Sequence, residues 1–262
     1  MIEKLSEIGK IVRKSVQEFL DKNYMGAREI MKIGADGTPT SKIDLIAEDE
    51  VFRFVKEKDL PLNILSEEYG FFDRNYEYTL VLDPIDGSFN AEMNIPFYSI
   101  SMAIGKKDLM DVKYALVMNL INGKRYWAEK GKGAYFEERK LKAKNNHDEI
   151  LSVISMGKES SEVIWKIIKN SRRVRSFGCA SLEMSLVADG SADIFLYYFT
   201  KRNVLRVIDI AASTLIVRES GGEVYDLSDF SPLNMAYDLS LRKNILASGD
   251  GAYAKQIWRM LK

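Results

Sequence analysis

Residues 80–90 read LVLDPIDGSFN: an aliphatic run, then Asp83 and Asp86 three positions apart, then a small-residue turn. Two like charges at the mouth of a buried strand repel and are poorly solvated, so they need a proton or a cation. The design recurs upstream, where LNILSEEYG (62–70) is a short aliphatic run ending in Glu67 and Glu68. Asp209 also falls at an element end. Acids at strand mouths favour a site in the crevice beyond those strands. Where three or four gather near neutral pH, a cation is the better neutraliser. Oxygen donors without His or Cys select a hard ion, magnesium first, with manganese or calcium as substitutes.

The spacing inside DPIDGS adds detail. Pro84 fixes φ and forces a turn, so the Ile85 carbonyl can join the Asp83 and Asp86 carboxylates, with Asp83 placed to bridge two ions. Gly87 and Ser88 are small, and a helix starting there would turn free N–H groups toward an anion. Metals beside an anion seat imply phosphate. Two cations about 4 Å apart can activate water and neutralise a leaving alkoxide without any histidine.

Composition narrows the alternatives. The 262 residues are 46% apolar, enough for a substantial core, and 38 basic residues balance 38 acidic ones. No global field therefore draws in nucleic acid or an anionic membrane. One cysteine, Cys179, excludes an internal disulfide and a cysteine-based zinc site; beside Gly178 it reads as a small buried residue. The one histidine, His147, lies in the polar stretch KAKNNHDE (142–149) without a GxSxG elbow, and reads as a solvated loop residue. The start, MIEKLSEIGKIVRKSV, has no continuous apolar core and is not a secretory signal. No stretch approaches the ~20 apolar residues that cross a bilayer. A soluble, cytoplasmic protein is expected.

Ile2, Leu5, Ile8, Val12, Val16 and Phe19 recur at helical steps and predict an amphipathic helix over 2–20. ADGTPTS (35–41) breaks the pattern, and Ser41 followed by Asp44 resembles a capping box opening a second helix with Ile43, Ala47, Val51 and Phe54 inward. FYSISMAIG (97–105), VKYALVMNL (112–120), the Asn122–Gly123 turn and RYWAEK (125–130) predict antiparallel hairpins, and the glycines of KGKGAYF (130–136) another turn. The polar stretch RKLKAKNNHDE (139–149) marks a boundary between an α+β half, 1–145, and an α/β half, 146–262. In the second, LSVISM, VRSFG, ADIFLYY and NILASG read as strands. Residues 160–170, CASLEMSLVADG, VIDIAASTLIVRESGG and 250–261 read as helices.

Three ordered motifs, SEE at 66–68, DPIDGSFN at 83–90 and VIDIAAS at 207–213, resemble the signatures of the inositol monophosphatase family. The archaeal-type members that also hydrolyse fructose 1,6-bisphosphate look closest. DGTPTSKID (36–44) and GCASLEM (178–184) extend the likeness over nearly the whole chain. The resemblance implies the layered α-β-α-β-α sandwich of the sugar phosphatases, an α+β fold with the active site between the halves. It implies that Glu67, Asp83 and the Ile85 carbonyl hold a first magnesium, and Asp83, Asp86 and Asp209 a second. Asp44 with the Ser88 hydroxyl would orient the attacking water, and Glu68 would support it or bind a weaker third ion. The Gly87 and Ser88 amides would bind phosphate, and Gly178, Ala180 and Ser181 would contact the sugar. The region around Met25, Met31 and ADGTPT would form a mobile loop. A homodimer and lithium inhibition are family traits.

The departures are mild at the metals: Ser88 replaces the usual threonine and keeps its hydroxyl, and Ile208 replaces tryptophan as a packing change. TKRNVLR (200–206) differs more, bringing Lys201, Arg202 and Arg206 where inositol enzymes are acidic or neutral. Those cations are candidates to grip a second phosphate, to pair with Glu183, or to sit on the surface. The expected activity is magnesium-dependent hydrolysis of inositol 1-phosphate, fructose 1,6-bisphosphate or both. A 3′-phosphoadenosine 5′-phosphate or NADP phosphatase is the rival enzyme, and a metal-binding regulatory scaffold the rival of another class.

Overall fold

The computed structural model describes residues 1–35, 37, 39–144, 150–158, 160–200 and 205–262. His147, Lys201, Arg202 and the expected boundary at 145/146 lie outside the described residues, as does the side chain of Met25. In chain order the elements are α1 (Ile2–Asn23), β1 (Ile30–Ile33), β2 (Pro39–Ser41), α2 (Lys42–Glu57), β3 (Leu62–Ser66), β4 (Gly70–Phe72), β5 (Tyr78–Asp86), α3 (Ser88–Glu92) and β6 (Ser99–Gly105). They continue with β7 (Tyr114–Asn119), β8 (Arg125–Glu129), β9 (Gly133–Phe136), β10 (Arg139–Lys140), β11 (Leu151–Ile154), α4 (Ile164–Asn170) and β12 (Arg173–Arg175). The last are α5 (Ala180–Ala188), β13 (Ile194–Tyr197), α6 (Val207–Glu219), β14 (Glu223–Asp226), β15 (Ile245–Ser248) and α7 (Gly251–Leu261).

The strands form a β1–β2 pair, an eight-stranded sheet ordered β10-β9-β8-β7-β6-β5-β3-β4 and a five-stranded sheet ordered β12-β11-β13-β15-β14. Three apolar layers follow from strand periodicity, because alternate residues face opposite sides. Leu80 and Leu82 of β5, with Ile100 and Met102 of β6, face α1 and α2, meeting Leu5, Ile8, Ala47 and Val51. Val81 and Ala103 face the other way, onto α5 and α6, whose far side packs on Val153, Phe195 and Ala247 of the smaller sheet. That sheet's outer face, Ile154, Leu196 and Leu246, is covered by α4 and α7 through Ile164, Ile167, Ala254 and Ile257. The result is the expected α-β-α-β-α sandwich. Each fully buried Leu or Ile in these layers contributes about 1.5–3 kcal/mol.

The central layer explains the texture of the α6 sequence. Val207 through Val217 are all buried, so the helix has no polar stripe, as expected of one enclosed between two sheets. Ala103, Ala115, Ala128 and Ala134 on the sheet side let it lie close. Residues from both sides of position 145 therefore build one shared core.

Differences from expectation are local. DPID is a bulged strand end, not a turn: Asp83 pairs with Ser101 and Asp86 with Ser99, three steps on β5 against two on β6. A bulge leaves one residue outside the ladder, which is where a proline without an N–H is tolerated. The chain turns one position later, at Gly87, with φ 86°. A Cβ there would stand 3.1 Å from the Gly178 carbonyl oxygen, so glycine meets both a left-handed backbone and a close approach. KGKGAYF contains the turn and also β9. The smaller sheet is mixed, with β11 parallel to β12 and β13, and β13 and β14 antiparallel to β15. The strands β4 and β14 carry no periodicity long enough to be read from sequence.

Candidate active site

β3 and β5 are parallel neighbours, so Glu67, just past β3, and Asp83 and Asp86, in the β5 bulge, leave the sheet at the same end. Asp209 arrives in the first turn of α6, and the N-terminus of α5 completes the wall. A cleft of about 1040 Å³ lies there. Of the residues singled out from sequence, Glu67, Asp83, Ile85, Asp86, Gly87, Ser88, Gly178, Ala180, Arg206 and Asp209 line it. Asp44, Glu68 and Ser181 are buried and are not on its wall.

Each acid is held differently. Asp83 Oδ1 accepts the Ile85 N–H at 3.1 Å across the bulge. Asp86 accepts from the start of α5: Ser181 N–H at 2.6 Å, Ser181 hydroxyl at 2.5 Å, Ala180 N–H at 3.2 Å and Cys179 Sγ at 3.3 Å. A helix N-terminus is a favourable seat for a carboxylate. The GCAS loop thus orients Asp86, and Ser181, expected at the sugar, is turned inward. Asp209 Oδ2 accepts the Arg206 N–H at 2.6 Å. The Arg206 fork reaches Asp209 Oδ1 through Nη2 at 2.9 Å and Glu67 Oε1 through Nη1 at 2.5 Å. This cation, open in sequence to a phosphate or surface role, is committed to two acids.

Asp44 sits one layer behind. Its Oδ2 accepts the Ser41 hydroxyl at 2.6 Å and the Ser41 N–H at 3.3 Å, the carboxylate half of the expected capping box. Its partner among the described residues is Ser41, not Ser88. Glu68 accepts from the Thr40 hydroxyl, and Glu48 Oε1 accepts the Glu68 N–H at 3.4 Å. Glu48 escaped the sequence reading, although it is fully buried and stands one helical turn after Asp44 within the apolar stripe of α2. An acid inside such a stripe is the signal that could have found it.

The electrostatics describe a site short of positive charge. Burial first, then Glu67, Asp86 and Asp209 nearby, drive the Asp83 carboxyl well above its ordinary range. Burial raises Glu67 against the opposing pull of Arg206, and raises Asp86 against the Ser181 hydrogen bonds. Burial pushes Asp44 up to about 7 against its Ser41 bond, with Glu68 adding to the rise. Glu183, accepting the Phe177 N–H at 2.6 Å, is also raised to about 7 by burial. Burial disfavours the Arg206 charge, but Asp209 and Glu67 more than offset it.

Among the described residues no three acidic, His or Cys side chains already stand in a ligating arrangement, since Arg206 joins Glu67 to Asp209 and Asp86 faces Ser181. The donor chemistry fits a hard divalent ion all the same: four carboxylates and the strand-end residue Ile85 line one cleft, no soft donor but the buried Cys179 thiol accompanies them among the described residues, and the raised proton affinities of Asp83, Glu67 and Asp86 call for added positive charge.

A model of the inositol monophosphatase family matches residues 2–261. The chain belongs to that family. A fructose-1,6-bisphosphatase/inositol-1-monophosphatase of Methanothermobacter thermautotrophicus is 36% identical over 90% of this chain and 88% of its own. A bifunctional NADP phosphatase/NAD kinase of Methanococcus maripaludis is 35% identical over 98% of this chain, which spans only 48% of that protein. A solved inositol monophosphatase–fructose 1,6-bisphosphatase superposes with a TM-score of 0.86 at 31% identity, covering 99% of both chains. The inositol monophosphatase sandwich is thus reproduced along the whole length. No helix among the described residues is long and apolar enough to cross a membrane.

Proposed function

We propose that this member of the family is a magnesium-dependent phosphomonoesterase acting on a small sugar or polyol phosphate, inositol 1-phosphate, fructose 1,6-bisphosphate or both. The observation that carries the reading is the convergence of Glu67, Asp83, Asp86 and Asp209, from two strand ends and a helix start, on one cleft. Glu67, Asp83 and the Ile85 carbonyl would hold one ion, and Asp83, Asp86 and Asp209 a second, with manganese as substitute. When bound, the ions polarise water and phosphoryl oxygens and neutralise the leaving oxygen.

The chain's own groups do the rest. Gly87 and Ser88 offer backbone N–H groups to the phosphate at the start of α3. Asp44 and the Ser88 hydroxyl orient the attacking water in line with phosphorus, which requires Asp44 to turn from Ser41 toward the cleft. Glu68 supports that edge through Thr40, and Gly178 and Ala180 form the wall the sugar meets. Arg202 remains the candidate for a second phosphate. A cytoplasmic homodimer sensitive to lithium belongs to the same reading and rests on the family resemblance. The likeness to the NADP phosphatase/NAD kinase over 98% of the chain favours NADP as a second substrate candidate.

A phosphate-release panel over inositol 1-phosphate, fructose 1,6-bisphosphate, 3′-phosphoadenosine 5′-phosphate and NADP tests both. Highest kcat/KM on either of the first two, abolished by chelation, is the expected result. Preference for NADP selects the second reading, and no release from any of the four rejects phosphomonoester hydrolysis.

A further inference from the structure

We propose that Arg206 is the resident counter-cation of the carboxylate cluster and competes with a divalent ion for Glu67 and Asp209. The inference rests on the assignment of those two acids as ligands.

Arg206 is the residue before α6, and its backbone N–H and side chain both engage Asp209, with Nε at 3.2 Å and Nη2 at 2.9 Å from Oδ1. The remaining arm, Nη1, meets Glu67 Oε1 at 2.5 Å, across 139 positions of chain. Glu67 follows β3 of the large sheet and Asp209 sits on the central helix, so one guanidinium ties two layers together at the cleft. The side chains are 14%, 17% and 10% exposed for Arg206, Glu67 and Asp209. An ion pair on open surface is worth little, but removing one partner of a shielded, hydrogen-bonded set leaves the others uncompensated. A planar fork that reaches two carboxylates at once is a task lysine cannot copy.

Glu67 and Asp209 are also the acids assigned to separate ions that share Asp83. An ion taking Glu67 Oε1 or Asp209 Oδ1 must displace an Arg206 donor, and any ion nearby feels the guanidinium's repulsion. Arg206 therefore has two opposed consequences. It keeps the acid wall assembled without added metal, and it sets ion affinity below what the four carboxylates alone would give. A residue that only supported the fold would show the first effect and not the second.

The test pairs thermal unfolding of the metal-free full chain with calorimetric titration of Mg²⁺ at pH 8, for wild type, Arg206→Met and Arg206→Lys. Arg206→Met is expected to unfold at lower temperature without metal and to bind Mg²⁺ roughly tenfold more tightly, the effect of removing a unit charge beside a divalent ion. Arg206→Lys keeps the charge but reaches one acid, so it should fall between the two in both measurements. If Arg206→Met does not fold, the ordering of lysine variant and wild type decides. Unchanged or weaker Mg²⁺ binding in a folded variant overturns the competition. Absence of Mg²⁺ binding by wild type overturns the ligand assignment itself, and the inference with it.

Discussion

The starts of α2 and α6 use one local device to opposite electrical ends. In each, an aspartate three residues past the N-cap folds back to accept the cap N–H, from Ser41 to Asp44 at 3.3 Å and from Arg206 to Asp209 at 2.6 Å. The capping rule places the carboxylate; the cap side chain then decides what accompanies it. Ser41 adds a neutral hydroxyl at 2.6 Å, and burial lifts Asp44 to about 7. Arg206 adds a full charge that also reaches Glu67. A capping position can therefore deliver an acid held by a neutral hydroxyl or one already paired with a cation, and this fold has both, Asp209 on the cleft wall and Asp44 one layer behind it.

The largest effect that can break the comparison is on turnover. Asp209→Asn, removing a ligand, should lower Mg²⁺-dependent kcat/KM by about a thousandfold, several kcal/mol of charge stabilisation. Asp44→Asn, removing an orienting group, should lower it about a hundredfold. Calorimetric Mg²⁺ affinity should fall sharply only in the first; equal losses in both would erase the distinction.

Stability against pH sharpens the same contrast. Asp44 rises from 3.8 to about 7 and Glu48 from 4.5 to about 7, both chiefly through burial. Between those limits the folded chain holds more protons than the unfolded one, so metal-free stability should decline as pH rises from about 4 to about 7. Urea unfolding at pH 5 and pH 8 measures the slope, which should be shallower in Asp44→Asn. A rise in stability across that window would contradict the burial account. The smallest effect is Ser41→Ala, expected to cost about 1 kcal/mol as a lost cap contact; urea midpoints that match wild type would show that the hydroxyl adds nothing.

These contrasts also mark what the sequence could carry. The α1 stripe, the Ser41–Asp44 helix start and the Asn122–Gly123 hairpin turn are set by neighbours a few positions apart, and the structure has them. The three acidic motifs likewise gave the order of the acids, because each ends a recognisable element. The Asp83–Asp86 bulge was missed because it depends on register against Ser99 and Ser101. The grip of Ser181 on Asp86 and of Arg206 on Glu67 was missed for the same reason: the partners meet across 95 and 139 positions. The α6 segment could be read as a helix, but only its two flanking sheets explain why every residue from Val207 to Val217 is buried.

Crystals grown with Mn²⁺, examined by anomalous scattering, test most directly whether the four acids share divalent ions. Peaks bonded to Asp83 and to Glu67, Asp86 or Asp209, with Arg206 withdrawn from at least one acid, are the predicted result. A cleft without a peak, with Arg206 still joining Glu67 to Asp209 at saturating Mn²⁺, would contradict it.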